Sequence, residues 1–189
     1  MCTITYFVAV SLDGRIAGPD HQIDAFGFPA ELASHLVEHY PETLPAPARV
    51  AMGIDQLPNR RFDTVIMGRE TFELGRRDGL TSPYPQLRQI VASTSLERDV
   101  DPDIEVVGRL TPEDLEEVLG DGSEEVWLCG GGVLAGALAS RIDRLVLKRA
   151  PVLLGDGRPL FDGDYAPDTF TLVDRVIAGP VSVETYERA

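Results

Sequence analysis

The sequence predicts an α/β protein with one mainly parallel β-sheet that ends in an antiparallel hairpin. Short apolar runs typical of buried strands alternate with helix-forming segments between residues 3 and 148, which indicates parallel strands joined by helical crossovers. Residues 169–186 instead alternate polar and apolar side chains around a turn at 178–180, as a hairpin does. No internal repeat or linker interrupts the 189 residues, so we expect one domain over residues 1–189.

The composition excludes several classes of protein. The chain carries 17 Lys+Arg against 31 Asp+Glu, a formal net charge of −14, and it lacks the basic face of a nucleic-acid binder or of a membrane-surface helix. No apolar run approaches the ~18 residues of a membrane helix, and the N-terminus does not resemble a signal peptide. Two cysteines, Cys2 and Cys129, are too few for a disulfide framework. We therefore expect a reduced, cytoplasmic protein that binds neither nucleic acid nor a membrane.

The first elements follow from local patterns. Residues 3–10 are rich in β-branched and aromatic side chains, which predicts a buried strand that ends in the turn at 11–14. Apolar side chains four apart and a proline at the start predict a helix over 29–39. Four prolines between residues 41 and 60 predict a loop with at most a short helix near 49–56.

The second half repeats the pattern of strand, turn and helix. A strand over 62–67 is followed by a turn and by a helix that opens at Thr71. A helix is expected over 111–119, with Thr111 as N-cap and Asp114 three residues on. Further strands are expected at 89–92, 104–107, 125–129 and 144–148.

Three glycines after a strand are the strongest local signal for a ligand site. Gly130, Gly131 and Gly132 end an apolar strand and precede a helix-forming run, an arrangement that exposes backbone N–H groups to an anion such as phosphate. The alternative is that the glycines only let the helix pack closely on its strand. The residues also match Gly-x-Gly-x-x-Ala, but only 57 residues follow Gly132 and no acidic residue stands about 20 positions on, which argues against a dinucleotide-binding doubly wound fold.

Two further strand ends carry groups that could bind phosphate. Arg69 follows Gly68 and offers a bidentate contact, and Thr71 adds a hydroxyl near the start of a helix. Ser93 and Thr94 form a hydroxyl cluster after the next strand. The alternative for Arg69 is an exposed arginine beside an ordinary turn.

Two other patterns indicate no chemistry by themselves. His35 and His39 match His-x-x-Glu-His, yet no third ligand is evident, so a solvated helix face is favoured and no metal is expected. Cys129 has no cationic neighbour in sequence that would lower its pKa, and we expect it to pack as a small buried residue.

Four segments, taken in order, resemble the dihydrofolate reductase superfamily, most closely its branch related to the reductase domain of bacterial riboflavin biosynthesis. They are residues 8–17, residues 64–73 with Gly-Arg-x-Thr, the strand end at 130–132, and residues 150–161, of which the last is similar to the riboflavin-type branch. The resemblance covers essentially the whole chain. It implies a dihydrofolate-reductase-like three-layer fold that binds NADPH in an extended form.

The resemblance also implies a cofactor site. The backbone around Ala9 and Ile16 would hold the nicotinamide amide, and the glycine segment would cradle the pyrophosphate at a Gly-Gly bond that the family often holds in cis. The cofactor-binding residues implied in this way are Ala9, Ile16, Gly68, Arg69, Thr71, Ser93, Thr94, Gly131, Gly132, Val133 and Leu134.

On the substrate side the resemblance is weaker. Residues 29–32 are similar to the Pro-x-acid-Leu helix start of folate enzymes, which would make Glu31 the acid that assists protonation of a C=N bond, with Asp24 as a competing acid. Ala135 stands where folate enzymes carry a tyrosine, and Arg88 falls one position away from their carboxylate-binding arginine.

The function implied is an NADPH-dependent reductase that transfers a hydride to a C=N or C=O carbon of a small heterocycle, pterin-like or pyrimidine-like. The alternative is a catalytically silent nucleotide- or ligand-binding module on the same fold, because a fold does not determine a function. Relatives are commonly dimers, so the resemblance also suggests a homodimer.

Overall fold

Helices pack on both sides of a central sheet in the computed structural model, which describes residues 2–189. The elements are β1 (Thr3–Val10), β2 (Arg15–Ala17), α1 (Ala30–His39), α2 (Ala46–Ala51), β3 (Thr64–Gly68), α3 (Arg69–Arg77), β4 (Arg88–Ala92), β5 (Ile104–Val107), α4 (Leu115–Leu119), β6 (Glu125–Gly130), α5 (Gly132–Ala137), β7 (Arg144–Arg149), β8 (Arg158–Pro159), β9 (Phe170–Ala178) and β10 (Val181–Arg188). Short 3-10 turns lie at Asp24–Phe26, Pro41–Thr43, Gly120–Gly122 and Ala139–Arg141.

The sheet has eight strands in the order β5-β4-β3-β6-β1-β7-β10-β9. The first six strands in this order, β5, β4, β3, β6, β1 and β7, are parallel to one another. β10 pairs antiparallel with both β7 and β9. The mainly parallel sheet and its antiparallel C-terminal hairpin are therefore confirmed. β2 and β8, which the sequence analysis did not predict, form a separate antiparallel pair.

Two hydrophobic clusters, one on each face of the sheet, complete the three layers. Leu32 and Leu36 of α1 and Phe72 of α3 pack with Phe7 and Trp127 on one face. α4 and α5 cover the opposite face, where their leucines contact alternate side chains of the same strands. This division follows from the period of two in a strand, which sends successive side chains to opposite faces.

Some boundaries differ from those expected. The predicted contacts between Thr111 and Asp114 are present, with Thr111 Oγ1 donating to Asp114 Oδ2 at 2.8 Å, but the α-helix spans only Leu115–Leu119. The carbonyl of Pro112 accepts a hydrogen bond from Arg141 Nη1 at 3.0 Å instead of serving an α-helical turn.

The loop between residues 41 and 60 also differs in detail. Its short helix is α2, which lies earlier than expected because Pro45 and Pro47 occupy its N-terminal turn, where proline is tolerated. The buried guanidinium of Arg49 donates to the carbonyls of Pro41 at 2.7 Å and Leu57 at 2.5 Å and so holds this segment in place. Among residues 2–189, the helices are all too short or too polar to cross a bilayer.

Candidate functional site

A crevice opens where β1 and β6 stop pairing. Their parallel ladder ends at Tyr6 and Leu128, although β1 continues to Val10 along β7 and β6 continues to Gly130. The carboxyl ends of parallel strands meet at one edge of the sheet, and ligands of open α/β sheets bind outside that edge where neighbouring connections leave on opposite faces. α3 follows β3 on one face and α5 follows β6 on the other. The fold therefore places its ligand crevice between β1 and β6.

One wall of this crevice is bare backbone. The Gly130–Gly131 peptide is cis, which confirms the cis Gly-Gly bond that the resemblance implied, and Gly130 has a φ of 132°. A Cβ atom on Gly68 would lie 3.5 Å from the Gly130 carbonyl oxygen, so β3 and β6 end side by side. Cβ atoms on Gly130 and Gly131 would lie 3.7 Å and 3.8 Å from Thr71 Oγ1. The ends of two strands thus bring glycine backbone and a hydroxyl together.

The remaining glycines of this segment have a different role. A Cβ atom on Gly132 would approach the carbonyl oxygen of Pro159 to 2.3 Å, and one on Gly136 would approach that of Asp162 to 2.2 Å. The amide of Asp162 donates to the carbonyl of Gly132 at 3.0 Å. The close-packing interpretation therefore holds for Gly132 and Gly136, whereas anion binding stays a prediction for Gly130 and Gly131. Gly130 and Gly131 line the crevice, while Gly132 and Gly136 let the chain near residue 160 pack on α5.

The segment at 150–157 holds the turn after β1. Asp13 accepts hydrogen bonds from Ser11 Oγ at 2.6 Å, from Leu154 N at 3.1 Å and from Gly155 N at 2.8 Å, and these bonds lower the pKa of its carboxyl to about 2. This cross-link fixes the path of the chain into β2. In that position Ile16 Cδ1 lies 3.9 Å from the Cβ position of Gly131, so Ile16 borders the same crevice.

A polar groove lies beside the start of α3. Arg69, Glu73, Arg76 and Ser95 line it, with about 550 Å³ of space open to solvent. The guanidinium of Arg69 is half exposed and pairs with Glu70, and Arg76 pairs with Glu73 at 2.9 Å. The structure therefore places Arg69 beside Ser95 of the loop after β4, and the role of Arg69 in holding a cofactor stays a prediction.

Ser93 and Thr94, which the resemblance assigned to the same cofactor site, do not line this groove. Ser93 Oγ accepts from Leu96 N at 2.9 Å and shapes the loop, and Thr94 is exposed beside it. At the start of α5, Val133 is 70% exposed, but the side chain of Leu134 lies in the core. Only the backbone of Leu134 could face a ligand.

An apolar cleft lies beside the end of β1, between β7 and the segment before α1. Its lining consists of Ala9, Phe26, Gly27, Phe28, Leu32, Lys148, Ala150 and Val181. Lys148 is the one ionisable residue among them. It pairs in register with Ala9 on β1, and its Nζ lies 4.3 Å from the centre of the Phe7 ring. Burial lowers the pKa of Lys148 from 10.5 to about 8.

Cys129 lies on β6 and Lys148 lies on β7, with β1 between these two strands. Cys129 packs against the core and is partly buried, in line with its expected structural role. Desolvation raises the pKa of the Cys129 thiol to about 12, and burial raises that of its hydrogen-bond partner Tyr84 well above the ordinary value. Both groups are neutral near pH 7, so neither offsets the charge of Lys148.

The two candidate acids lie outside the lining of the apolar cleft. Asp24 is exposed in the 3-10 turn Asp24–Phe26, and the Glu31 carboxylate faces the turn before β10, where its Oε2 would lie 2.8 Å from a Cβ on Gly179. Their assignment as proton donors stays a prediction. His35 and His39 stack at 4.7 Å on α1, and no group of three or more potential metal ligands occurs within residues 2–189.

Lys148 is the residue that the sequence analysis missed. A signal was available, because Lys148 is the only lysine of the sequence and every other basic residue is arginine. It occurs near the end of a buried strand, where an unpaired charge is costly.

The diverging strands, the cis Gly-Gly bond and the three layers define a dihydrofolate-reductase-like α/β protein. The chain belongs to the RibD C-terminal domain family, whose model matches residues 2–176. No curated protein matches the sequence.

Three solved structures illustrate the likeness in fold. A protein from Shewanella sp. PV-4, named for riboflavin biosynthesis, superposes with a TM-score of 0.72 at 23% identity over 100% of this chain and 99% of its own. RibD of Acinetobacter baumannii follows with a TM-score of 0.65 at 16% identity over 100% of this chain and 58% of its own. The diaminohydroxyphosphoribosylaminopyrimidine deaminase/5-amino-6-(5-phosphoribosylamino)uracil reductase of Thermotoga maritima gives 0.62 at 13% identity, over 100% of this chain and 57% of its own. This chain thus spans a little over half the length of the last two.

Proposed function

We propose that this protein is an NADPH-dependent reductase that transfers a hydride to a C=N or C=O carbon of a small pyrimidine-like or pterin-like heterocycle. The observation that carries the proposal is the crevice between β1 and β6, with glycine backbone at the end of β6 and an apolar cleft beside Ala9 at the end of β1. A dinucleotide extended along the carboxyl edge of the sheet would find donors for its phosphates at the glycine backbone and a dry surface for its ring at the cleft.

The residues present fit such a cofactor. Gly130 and Gly131 leave open backbone beside the Thr71 hydroxyl, which would hold the pyrophosphate. Arg69 is half exposed at the polar groove and would hold the phosphate of the adenosine end. The backbone of Ala9, where β1 has left β6, would hold the nicotinamide amide. When bound, NADPH supplies the hydride, and the protein's contribution is to orient the substrate and supply a proton.

The net charge of −14 does not oppose this assignment. At physiological ionic strength charges farther apart than about 8 Å are largely screened, so the surroundings of the crevice decide the local attraction. Arg69 and Arg76 line the groove together with Glu73 and Glu97, so the acidic excess of the whole chain does not extend to the groove, and the glycine backbone of the crevice would add N–H donors. Attraction for the cofactor is therefore local.

The substrate class rests on two supports. The cleft that would hold the substrate is small and mostly apolar, which suits a flat heterocycle. The chain belongs to the RibD C-terminal domain family, and the Thermotoga protein that shares its fold is named as a deaminase and an aminouracil reductase.

Calorimetric titration with NADPH and NADH tests cofactor binding. We expect NADPH to bind more tightly, and we expect Arg69→Ala to weaken NADPH about tenfold more than NADH, since a lost phosphate contact costs on the order of 1.4 kcal/mol. Arg77→Ala is the matched control, because Arg77 is exposed on the same helix but does not line the groove. Absence of binding by either nucleotide at millimolar concentration overturns the proposal.

Turnover separates the reductase from a silent binding module. NADPH labelled with deuterium at one face of C4 is incubated with the protein and 5-amino-6-(5-phosphoribosylamino)uracil. Stereospecific transfer of the label to the product is expected of a reductase. Nucleotide binding without transfer to this substrate or to other pyrimidines and pterins would favour the silent module.

A further inference from the structure

Lys148 is the only cationic side chain in the lining of the apolar cleft. Within residues 2–189, the salt bridges are made by arginines and histidines, and none is made by Lys148. It is also the only lysine of the sequence. Its amine has no carboxylate partner and lies in the apolar cleft, where a ring bound beside Ala9 would face it.

The groups that face Lys148 are nearly all apolar. β1 contributes Phe7 and Ala9, the segment before α1 contributes Phe26 and Phe28, and Val183 of β10 is its register partner on the other side. The one titratable group whose charge acts on Lys148 is the thiol of Cys129, which is neutral near pH 7. The charge of the Lys148 ammonium is therefore not balanced by the protein, and a reacting group that develops negative charge is its natural partner.

We propose that Lys148 is the proton donor of the reduction, placed in the cleft to protonate the heteroatom of the C=N or C=O bond as its carbon receives the hydride. The inference rests on the proposed function and adds a catalytic residue to it. The hydride and its electron pair form the new C–H bond, and the π electrons move onto nitrogen or oxygen. An N–H bond of the Lys148 ammonium breaks, and its proton forms the new N–H or O–H bond. The cofactor is oxidised by two electrons, the substrate is reduced, and the neutral amine regains its proton from water.

The chemistry of a desolvated lysine suits this role. A general acid is most effective when its pKa lies near the working pH, and burial brings the pKa of Lys148 to about 8. An arginine would stay protonated throughout and could not release a proton. The use of lysine only at this position, in a chain otherwise built with arginine, fits a site that needs a transferable proton.

Equilibrium binding tests the position of Lys148 without any substrate. The ammonium repels the positively charged ring of NADP⁺ but not the neutral ring of NADPH. We therefore expect the dissociation constant of NADP⁺ to fall about tenfold as the pH rises through about 8, while that of NADPH stays nearly constant. Lys148→Met should bind NADP⁺ equally well across this pH range, and Lys148→Arg should bind it weakly throughout. Comparison of the two nucleotides cancels the titration of their shared phosphates.

One control variant and the comparison of the two nucleotides distinguish the possible outcomes. Cys129→Ala removes the one titratable neighbour and should retain the wild-type pH dependence of NADP⁺ binding. If neither nucleotide binds, the proposed function fails. If both bind but the NADP⁺ profile is flat in the wild type, or unchanged in folded Lys148→Met and Lys148→Arg, the assignment of Lys148 alone is overturned.

Kinetics with the aminouracil substrate then tests proton transfer. We expect kcat to fall above about pH 8 in the wild type and in Cys129→Ala. In Lys148→Met and Lys148→Arg we expect kcat to fall about 100-fold or more, with KM changed only a few-fold. A wild-type kcat in Lys148→Arg would show that charge alone suffices and would overturn the role as proton donor.

Discussion

Replacement of Lys148 by methionine should stabilise the protein at neutral pH. The folded state holds the ammonium in an apolar cleft, and this lowers the pKa of Lys148 from 10.5 to about 8. At about 1.36 kcal/mol for each pKa unit, the folded state therefore loses about 3 kcal/mol by keeping Lys148 charged at pH 7. The contact with the Phe7 ring, 4.3 Å away, returns on the order of 1 kcal/mol. We expect Lys148→Met to raise the free energy of unfolding by about 2–3 kcal/mol.

The pH dependence of this gain identifies its cause. Below about pH 8 both folded and unfolded wild-type chains carry the charge, so the full penalty applies. Between about 8 and 10.5 the folded state loses the proton first, and wild-type stability rises relative to that of the variant. Above 10.5 the penalty is gone and only the difference in packing remains.

Urea denaturation at about pH 7 and at about pH 10.5, followed by circular dichroism, measures both values. Arg77→Met is the control, because it makes a similar change at an exposed position and should alter stability by less than about 0.5 kcal/mol. An unchanged or lower stability of Lys148→Met at pH 7 would refute the argument that the charge is desolvated. A gain that persists at high pH would show that packing of the methionine, not removal of charge, is responsible.

Two further predictions concern the segments that hold the crevice in shape. Gly136→Ala should destabilise the protein by about 1–3 kcal/mol in thermal or urea unfolding, because its Cβ would approach the Asp162 carbonyl oxygen to 2.2 Å. Gly75→Ala in α3 is the control and should be neutral or stabilising, since its Cβ would lie 3.7 Å from its nearest neighbour. Equal losses of stability in both variants would contradict the packing argument. Asp13→Asn should flatten the loss of stability between about pH 4 and pH 2, since the wild-type carboxylate stabilises the fold above its unfolded pKa of 3.8 and loses that contribution as the pH falls toward about 2. Unfolding midpoints of both proteins, measured in low salt across that pH range, test this. The same fall of the midpoint with pH in the wild type and in Asp13→Asn would contradict the prediction.

The strand ends of the site were predictable because their signals are local. Gly68, Thr71 and Gly131 stand next to apolar runs whose ends are evident in the sequence, and parallel strands place their carboxyl ends at one edge. The predicted end of α4 at Leu119 was correct, but its predicted start was wrong, since residues 111–114 form a turn in which the Pro112 carbonyl accepts a hydrogen bond from Arg141. The pairing of β2 with β8 likewise joins segments far apart in the chain.

The sequence by itself determined the class of fold, the order of most strands and helices, and the glycine strand ends, because hydrophobic period and glycine placement are properties of short segments. Only the tertiary structure decided which glycines line the crevice and which admit the chain near residue 160, since that depends on a backbone approach across about 25 residues of sequence.

The tertiary structure also decided the environment of Lys148. The register of β7 with β1 and β10, together with the cover supplied by the segment before α1, partly buries this side chain among apolar groups. Desolvation is a property of the packed protein and not of the residue, so the sequence could mark Lys148 as unusual but could not assign its chemistry.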